Sequence, residues 1–443
     1  MDQPPLTPLL ARVFIAVLGD TVTAIRAPAA LCAALTAVLL ALLGRELGGG
    51  RTAQALAALG TVSVVPLLAG HTLITSSVDM PFWVAVLTLV VRALIRYDPR
   101  AWLAAGVVIG LATYSKLLIA LLVLGLAAGL LIVGPRRPLQ SAPAWAAVAA
   151  AVVVALPNPC LPGRQGFPQL SMASALARNK GDEARLTFLP LQLVMIGPLV
   201  VQVWVAGVVG LLRRPQWRPL RALPVAYVLI CAFLLLSGGQ PYYTLGLLLA
   251  FWASGCVVLE SWVGTRSSRW RILAADVVVH AAVSLLLALP IVPEDRLAHT
   301  PLPTVNQVTR DSVGWPAYVH QVASVYRQVP VSERQRSVIV TGNYGEHGAL
   351  HWYGRQLGLP PAYSGHNALW DLGRPPDTTA TLVLVNYAGA RVWLAARFQT
   401  CRVRATLDNG VRVDNEEQGQ PIRICQGPRR PWPKLWRDFQ HLH

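Results

Sequence analysis

Apolar residues fall in long uninterrupted runs, and short clusters of arginine separate one run from the next. A bilayer span needs about 20 apolar residues, with a range of roughly 17–25. The pattern predicts ten candidate spans, near residues 27–44, 53–70, 81–95, 102–114, 117–133, 142–156, 190–212, 222–236, 242–259 and 272–292. Several are short for a straight crossing. Lys116 divides one long apolar stretch into two such pieces, so a helical hairpin or a broken span is an alternative there. Beyond residue 292 the pattern changes to short β-branched runs, SVIVT (337–341), TLVLV (381–385) and PIRIC (421–425), with helical stretches between them. These predict a small mixed α/β domain. The proline-rich stretch from Pro290 to Pro303 marks the boundary, giving a membrane region over 1–292 and a second domain over 293–443.

Composition sharpens this picture. Of 443 residues, 54% are hydrophobic and 13% charged, against roughly 45–50% and about 25% in soluble domains. A single water-soluble globule is excluded. The net charge of +17 does not point to nucleic acid, because the arginines of the first region sit between apolar runs, where they report membrane topology. Counting Lys and Arg in alternate loops gives 14 on one side and seven on the other. The richer side is assigned to the cytoplasm. Both chain ends, the loop around Asp79, the loop over 157–189 and the whole C-terminal domain then lie outside. The start, MDQPPLTPLL, has no basic, apolar and small-residue signal-peptide pattern, so insertion relies on internal helices. Of the six cysteines, only Cys401 and Cys425 are placed for a structural disulfide, the alternative being two unpaired thiols.

Ionisable groups at membrane depth are costly and usually functional. On the external side the acids of the membrane region are Asp2, Asp20, Asp79, Asp182 and Glu183. Asp79, in TLITSSVDMPF, has neither Lys nor Arg in its own loop. Its carboxylate suits a general base or a sugar-hydroxyl contact, or it caps a helix beginning at Met80. Lys116 shares that side and suits a phosphate contact, or it snorkels to the interface. The GGQPYY turn (238–243) adds Tyr242 and Tyr243, in a place where interfacial tyrosine is common. His347 and His351 share a helical spacing but lack an evident third metal ligand. Gly48–Gly50 reads as a turn, and the basic 157–189 loop binds lipid phosphate or is simply solvated.

The order of these features resembles bacterial glycosyltransferase family 39, the group similar to protein O-mannosyltransferases and aminoarabinose transferases. The matching residues are DQPPL (2–6), LLGRELGGGR (42–51), the Asp79 loop, GLATYSK (110–116), PN (157–158), RQGFP (164–168), ARNKG (177–181) and GGQPYY. In the C-terminal domain NYGEHGA, AYSGHN and VDNEEQGQP look like an extension found in one bacterial branch. The resemblance implies a polytopic α-helical membrane protein with a GT-C-like helical bundle and a small C-terminal extracytoplasmic α/β domain. It implies an integral plasma-membrane enzyme that takes a sugar from a polyprenyl-phosphate carrier to a protein, lipid or wall-glycan acceptor. Asp2 and Asp79 are then the catalytic carboxylates. Gln3, Lys116, Arg164, Asn179, Gln240, Tyr242 and Tyr243 are the substrate contacts, with no cofactor or metal evident and no nucleic-acid partner. Two departures stand out. The family begins with a further span and a loop bearing its principal acid, which implies a misplaced start or a truncated relative; and Gln240 stands where relatives often have lysine. A polytopic transporter and a catalytically inactive glycan- or lipid-binding relative are the competing readings. Transporters favour midplane charges and internal repeats, whereas here the acids sit at the outer boundary and no repeat is found.

Overall fold

A computed structural model describes residues 4–158, 168–387 and 390–442. The chain divides into two compact units, one running to Leu289 and the other over Pro290–His443.

The first unit is built from helices. In chain order they are α1 (Leu6–Leu18), α2 (Val22–Glu46), α3 (Arg51–Ala58), α4 (Val64–His71), α5 (Thr75–Arg96), α6 (Pro99–Ala112) and α7 (Ile119–Ile132). There follow α8 (Ala142–Ala155), α9 (Pro168–Val194), α10 (Val201–Arg213), α11 (Ala222–Ser237), α12 (Leu245–Val263) and α13 (Ser267–Ala288). Among the described residues five helices are long and apolar enough to cross a membrane, and seven spans result if each of two bent pairs counts as one. The protein is an integral membrane protein.

The bends correct the simple span pattern. The spans expected at 53–70 and 190–212 are both broken, by 63° where α3 meets α4 and by 62° where α9 meets α10. Gly197, at φ +141°, turns the chain at the second break just before Pro198. A break frees backbone groups that hydrocarbon cannot satisfy, and the two breaks answer one another: the Val65 N–H donates to the Met195 carbonyl at 3.0 Å. His280 of α13 completes the join, its Nε2 lying 3.3 Å from the Ser63 hydroxyl. Elsewhere small residues let helices approach closely. A Cβ on Gly255 would meet the Val203 carbonyl at 1.9 Å, and one on Gly207 the Phe251 carbonyl at 2.0 Å, so α10 and α12 touch backbone to backbone. Around Lys116 the chain forms two 14-residue helices, α6 and α7. They do not form a packed hairpin: α6 lies on α5 and α8, and α7 on α11.

The second unit is a five-stranded mixed sheet in the order β2-β1-β3-β5-β4. Its strands are β1 (Ser337–Thr341), β2 (Ala362–Ser364), β3 (Thr381–Val385), β4 (Phe398–Thr406) and β5 (Pro421–Pro428). The first three pair in parallel and β5 runs antiparallel to both β3 and β4. Every residue of β1 and β3 is buried, as parallel strands covered on both faces require. One face packs Ile339, Val383 and Ile422 under helix α14 (Trp315–Tyr326), and the other packs Val340 and Leu384 against Trp432, Trp436 and Phe439. Cys401 and Cys425 lie opposite one another on β4 and β5 and are joined by a disulfide.

The three C-terminal sequence motifs meet at the carboxyl ends of β1 and β2. Asn343 caps helix α15 (Tyr344–Tyr353), accepting from the Glu346 N–H at 2.9 Å. Its amide donates to Glu417 at 3.1 Å, and the Tyr344 N–H donates to His366 Nδ1 at 3.1 Å. Burial pushes the Glu346 carboxyl up to about 8 and that of Glu417 to about 7.

Candidate active site

Helix α5 starts at Thr75, five residues ahead of the start a cap at Asp79 would need. The Ser77 hydroxyl fastens that start, accepting from the Ile74 N–H at 3.2 Å and donating to the Thr72 carbonyl at 2.6 Å. Asp79 is therefore a residue of the second turn, and the capping alternative fails. It is 8% exposed, and its Oδ1 has no hydrogen-bond partner. Trp83, one turn further along α5, presents its indole beside the carboxylate, and Lys116 is the neighbouring cation. An acid buried by packing and not consumed by a cap is available for chemistry.

Lys116 comes from the turn between α6 and α7. Asn158, of the PN pair, fixes that turn by donating to the Thr113 carbonyl at 2.7 Å. The Lys116 ammonium donates to the Ser76 hydroxyl at 3.4 Å. It also lies 4.3 Å from the Tyr243 ring centroid and 5.4 Å from that of Tyr242, within the range of a cation–π contact.

The tyrosines arrive on the GGQPYY turn. Gly238, at φ +69°, ends α11 in the left-handed conformation that glycine adopts without strain, and Pro241–Thr244 forms a short 3-10 turn leading into α12. A buried amide holds this turn. Gln192 Oε1 accepts from the Tyr227 hydroxyl at 2.9 Å and the Thr244 hydroxyl at 2.6 Å, while its Nε2 donates to the Pro241 carbonyl at 3.0 Å. Arg185 ties the same helix to the end of α11 through the Leu235 and Leu236 carbonyls.

Gln192→Leu takes its partner from the Tyr227 hydroxyl and leaves the Thr244 hydroxyl and Pro241 carbonyl only their bond to each other at 3.1 Å, at about 1–3 kcal/mol for a lost partner. The expected result is a lower melting temperature and a loosened tyrosine pair with Asp79 unmoved. Thermal unfolding of the full-length protein checks it, and a wild-type melting curve would contradict it.

Asp79, Lys116, Tyr242 and Tyr243 thus line one cavity, together with Ser76, Met80, Trp83, Leu245 and Gly246. Its free space is about 20 Å³, room for a water-sized group. A sugar needs the half-exposed Tyr242 and its neighbour to move. Asn179 lies exposed on α9 and is not among the residues that line the cavity. Gln240 precedes the 3-10 turn, its carbonyl accepting from the Tyr243 N–H at 3.2 Å, and also stays outside the lining. Asp2, Gln3 and Arg164 lie outside the described residues. Ser76, Trp83 and Gln192 were not singled out from sequence. Trp83, four residues after Asp79 on the same helical face, carried the one legible signal.

In overall structure the chain is similar to ArnT from Cupriavidus metallidurans bound to undecaprenyl phosphate, with a TM-score of 0.57 at 17% identity over 96% of this chain and 88% of that one. The chain shares the fold of ArnT, a GT-C-like helical bundle. Residues 2–160 also match the family model for dolichyl-phosphate-mannose-protein mannosyltransferase. The apo form of the same ArnT gives a TM-score of 0.55 at 15% identity, over 96% of this chain and 87% of that one. The oligosaccharyltransferase of Archaeoglobus fulgidus, in complex with Zn and sulfate, gives 0.53 at 14% identity, over 89% of this chain and 61% of that one. No curated protein sequence matches this chain.

Proposed function

We propose that this GT-C protein transfers a sugar from a polyprenyl-phosphate carrier to a hydroxyl acceptor on the outer side of the membrane. The observation that carries the reading is the meeting of a buried carboxylate, whose Oδ1 makes no hydrogen bond, and an ammonium, Asp79 and Lys116, in one cavity walled by two tyrosines. Glycosyl transfer asks for both groups. The acceptor hydroxyl gives its proton to Asp79, and its oxygen forms a bond to the sugar anomeric carbon. The bond from that carbon to the carrier phosphate oxygen breaks, the electron pair stays on the phosphate, and Lys116 stabilises the charge. The tyrosine rings position the ammonium. ArnT, similar in fold, binds undecaprenyl phosphate, which supports a polyprenyl phosphate as the carrier here. Asp2, Gln3 and Arg164 are assigned to this site by resemblance, Asp2 as a second carboxylate. The acids at the outer boundary favour an enzyme over a transporter.

The test supplies full-length protein in nanodiscs with radiolabelled polyprenyl-phosphate sugars extracted from its own source membranes, together with a membrane acceptor fraction. Label leaving the lipid-phosphate pool in proportion to protein is the expected result. Saturable binding of the labelled lipid without any release would point to the inactive, lipid-binding relative.

A further inference from the structure

We propose that Trp83 is a positioning residue for the transfer reaction: its indole N–H donates to one oxygen of the Asp79 carboxylate and so turns the other oxygen toward the acceptor hydroxyl. The proposal rests on Asp79 acting as the base. It adds a residue that works through Asp79 and does not itself touch the reacting atoms.

A general base must lie within roughly 2.6–3.2 Å of the group whose proton it takes. The last torsion of an aspartate is broad and roughly two-fold, so a carboxylate with neither oxygen anchored spreads over orientations that miss the proton. Asp79 therefore needs an anchor. The Ser77 hydroxyl is committed to the Thr72 carbonyl, and the Lys116 ammonium is turned to the Ser76 hydroxyl and the two tyrosine rings. The side-chain donor that reaches the carboxylate is the Trp83 indole.

Sequence and packing both put it there. Trp83 follows Asp79 by four residues within helix α5, which sets the two side chains on one face, one turn apart. Trp83 is 2% exposed, and α12 backs its ring. A Cβ on Gly246 would lie 2.6 Å from Trp83 Cβ and 2.8 Å from its Cε3, so the indole has room at that point only against glycine. Trp83 Nε1 and Asp79 Oδ1 are both buried, and neither completes a hydrogen bond in this structure. A buried donor and a buried acceptor left open each cost stability, and these two are one helical turn apart. Hydrogen bonds in catalytic sites are often long before substrate binds and tighten in the complex. Closed off from solvent, Nε1 and Oδ1 serve one another, and Oδ2 is left to take the acceptor proton. A ring needed for packing alone has no use for its N–H, and that separates the two roles experimentally.

The test is Trp83→Phe in the full-length protein in nanodiscs, which keeps an aromatic ring and removes the N–H. Transfer at saturating donor should fall roughly tenfold or more, the scale of one hydrogen bond to a charged group. KM for the lipid donor should stay as in wild type, because the donor phosphate meets Lys116. Infrared difference spectra between each protein and the same protein carrying Asp79→Asn isolate the Asp79 carboxyl bands without any turnover. Those bands should move in Trp83→Phe, which a space-filling role would not produce. Melting curves report folding, and if Trp83→Phe is unstable, Trp83→Met takes its place as a flexible filler without a donor. Unmoved Asp79 bands in the folded variant overturn the proposal, and so does a wild-type kcat there, which leaves the transfer reaction itself standing. If the wild-type protein transfers no sugar, the reading of Asp79 as a base fails instead, and the bands alone decide whether Trp83 holds the carboxylate.

Discussion

Asp79→Asn in the full-length protein is expected to abolish detectable sugar transfer while membrane insertion and melting stay as in wild type. The substitution keeps the size and shape of the side chain and removes its charge and basicity. Loss of a positioned general base lowers a rate by roughly 10²–10⁴. Stability should not fall. Asp79 is 8% exposed and its Oδ1 makes no hydrogen bond, so the isosteric amide displaces no hydrogen bond there. The loss should fall mainly on kcat, because the carboxylate acts where the acceptor proton leaves. Transfer rates per folded protein, measured at saturating donor, check this. A rate like that of wild type would remove Asp79 from catalysis.

The second large effect is that of Lys116→Gln, with transfer lowered by roughly 10²–10³, the cost of removing one group aimed at developing charge. Here KM for the lipid donor should rise as well, since the ammonium meets the carrier phosphate before and after the bond breaks. Lys116→Arg should recover part of the rate but not all of it. The tyrosine pocket, with ring centroids at 4.3 and 5.4 Å from Nζ, is shaped around a compact ammonium, and a planar guanidinium presents its donors differently. Donor-dependence curves for the three proteins separate binding from chemistry. An unchanged KM in Lys116→Gln would detach this residue from the donor.

The helical membrane unit and its small α/β companion were legible because each carries a strong local signal. Uninterrupted apolar runs require helices in hydrocarbon, and SVIVT, TLVLV and PIRIC became β1, β3 and the first five residues of β5. Strand β4 was not legible. FQTCRVRAT lies at the sheet edge and is largely exposed, so its pattern is mostly polar. The helix breaks were also hidden, since apolar character continues through Ser63 and Gly197 and only tertiary partners such as His280 make a break tolerable.

The site divides in the same way. Asp79 and Lys116 stand out as charges among apolar residues, and both prove to line one cavity. Gln192 does not stand out, because its importance lies in three hydrogen bonds to residues at least 35 positions away. Asn179 was attractive within ARNKG, yet the fold leaves it outside the cavity lining.

The most direct measurement is mass spectrometry of the surface glycans in a strain deleted for this protein and complemented with wild type or with Asp79→Asn. A sugar should disappear on deletion, return with wild type, and stay missing with Asp79→Asn at equal membrane abundance. Full restoration by Asp79→Asn would contradict the account.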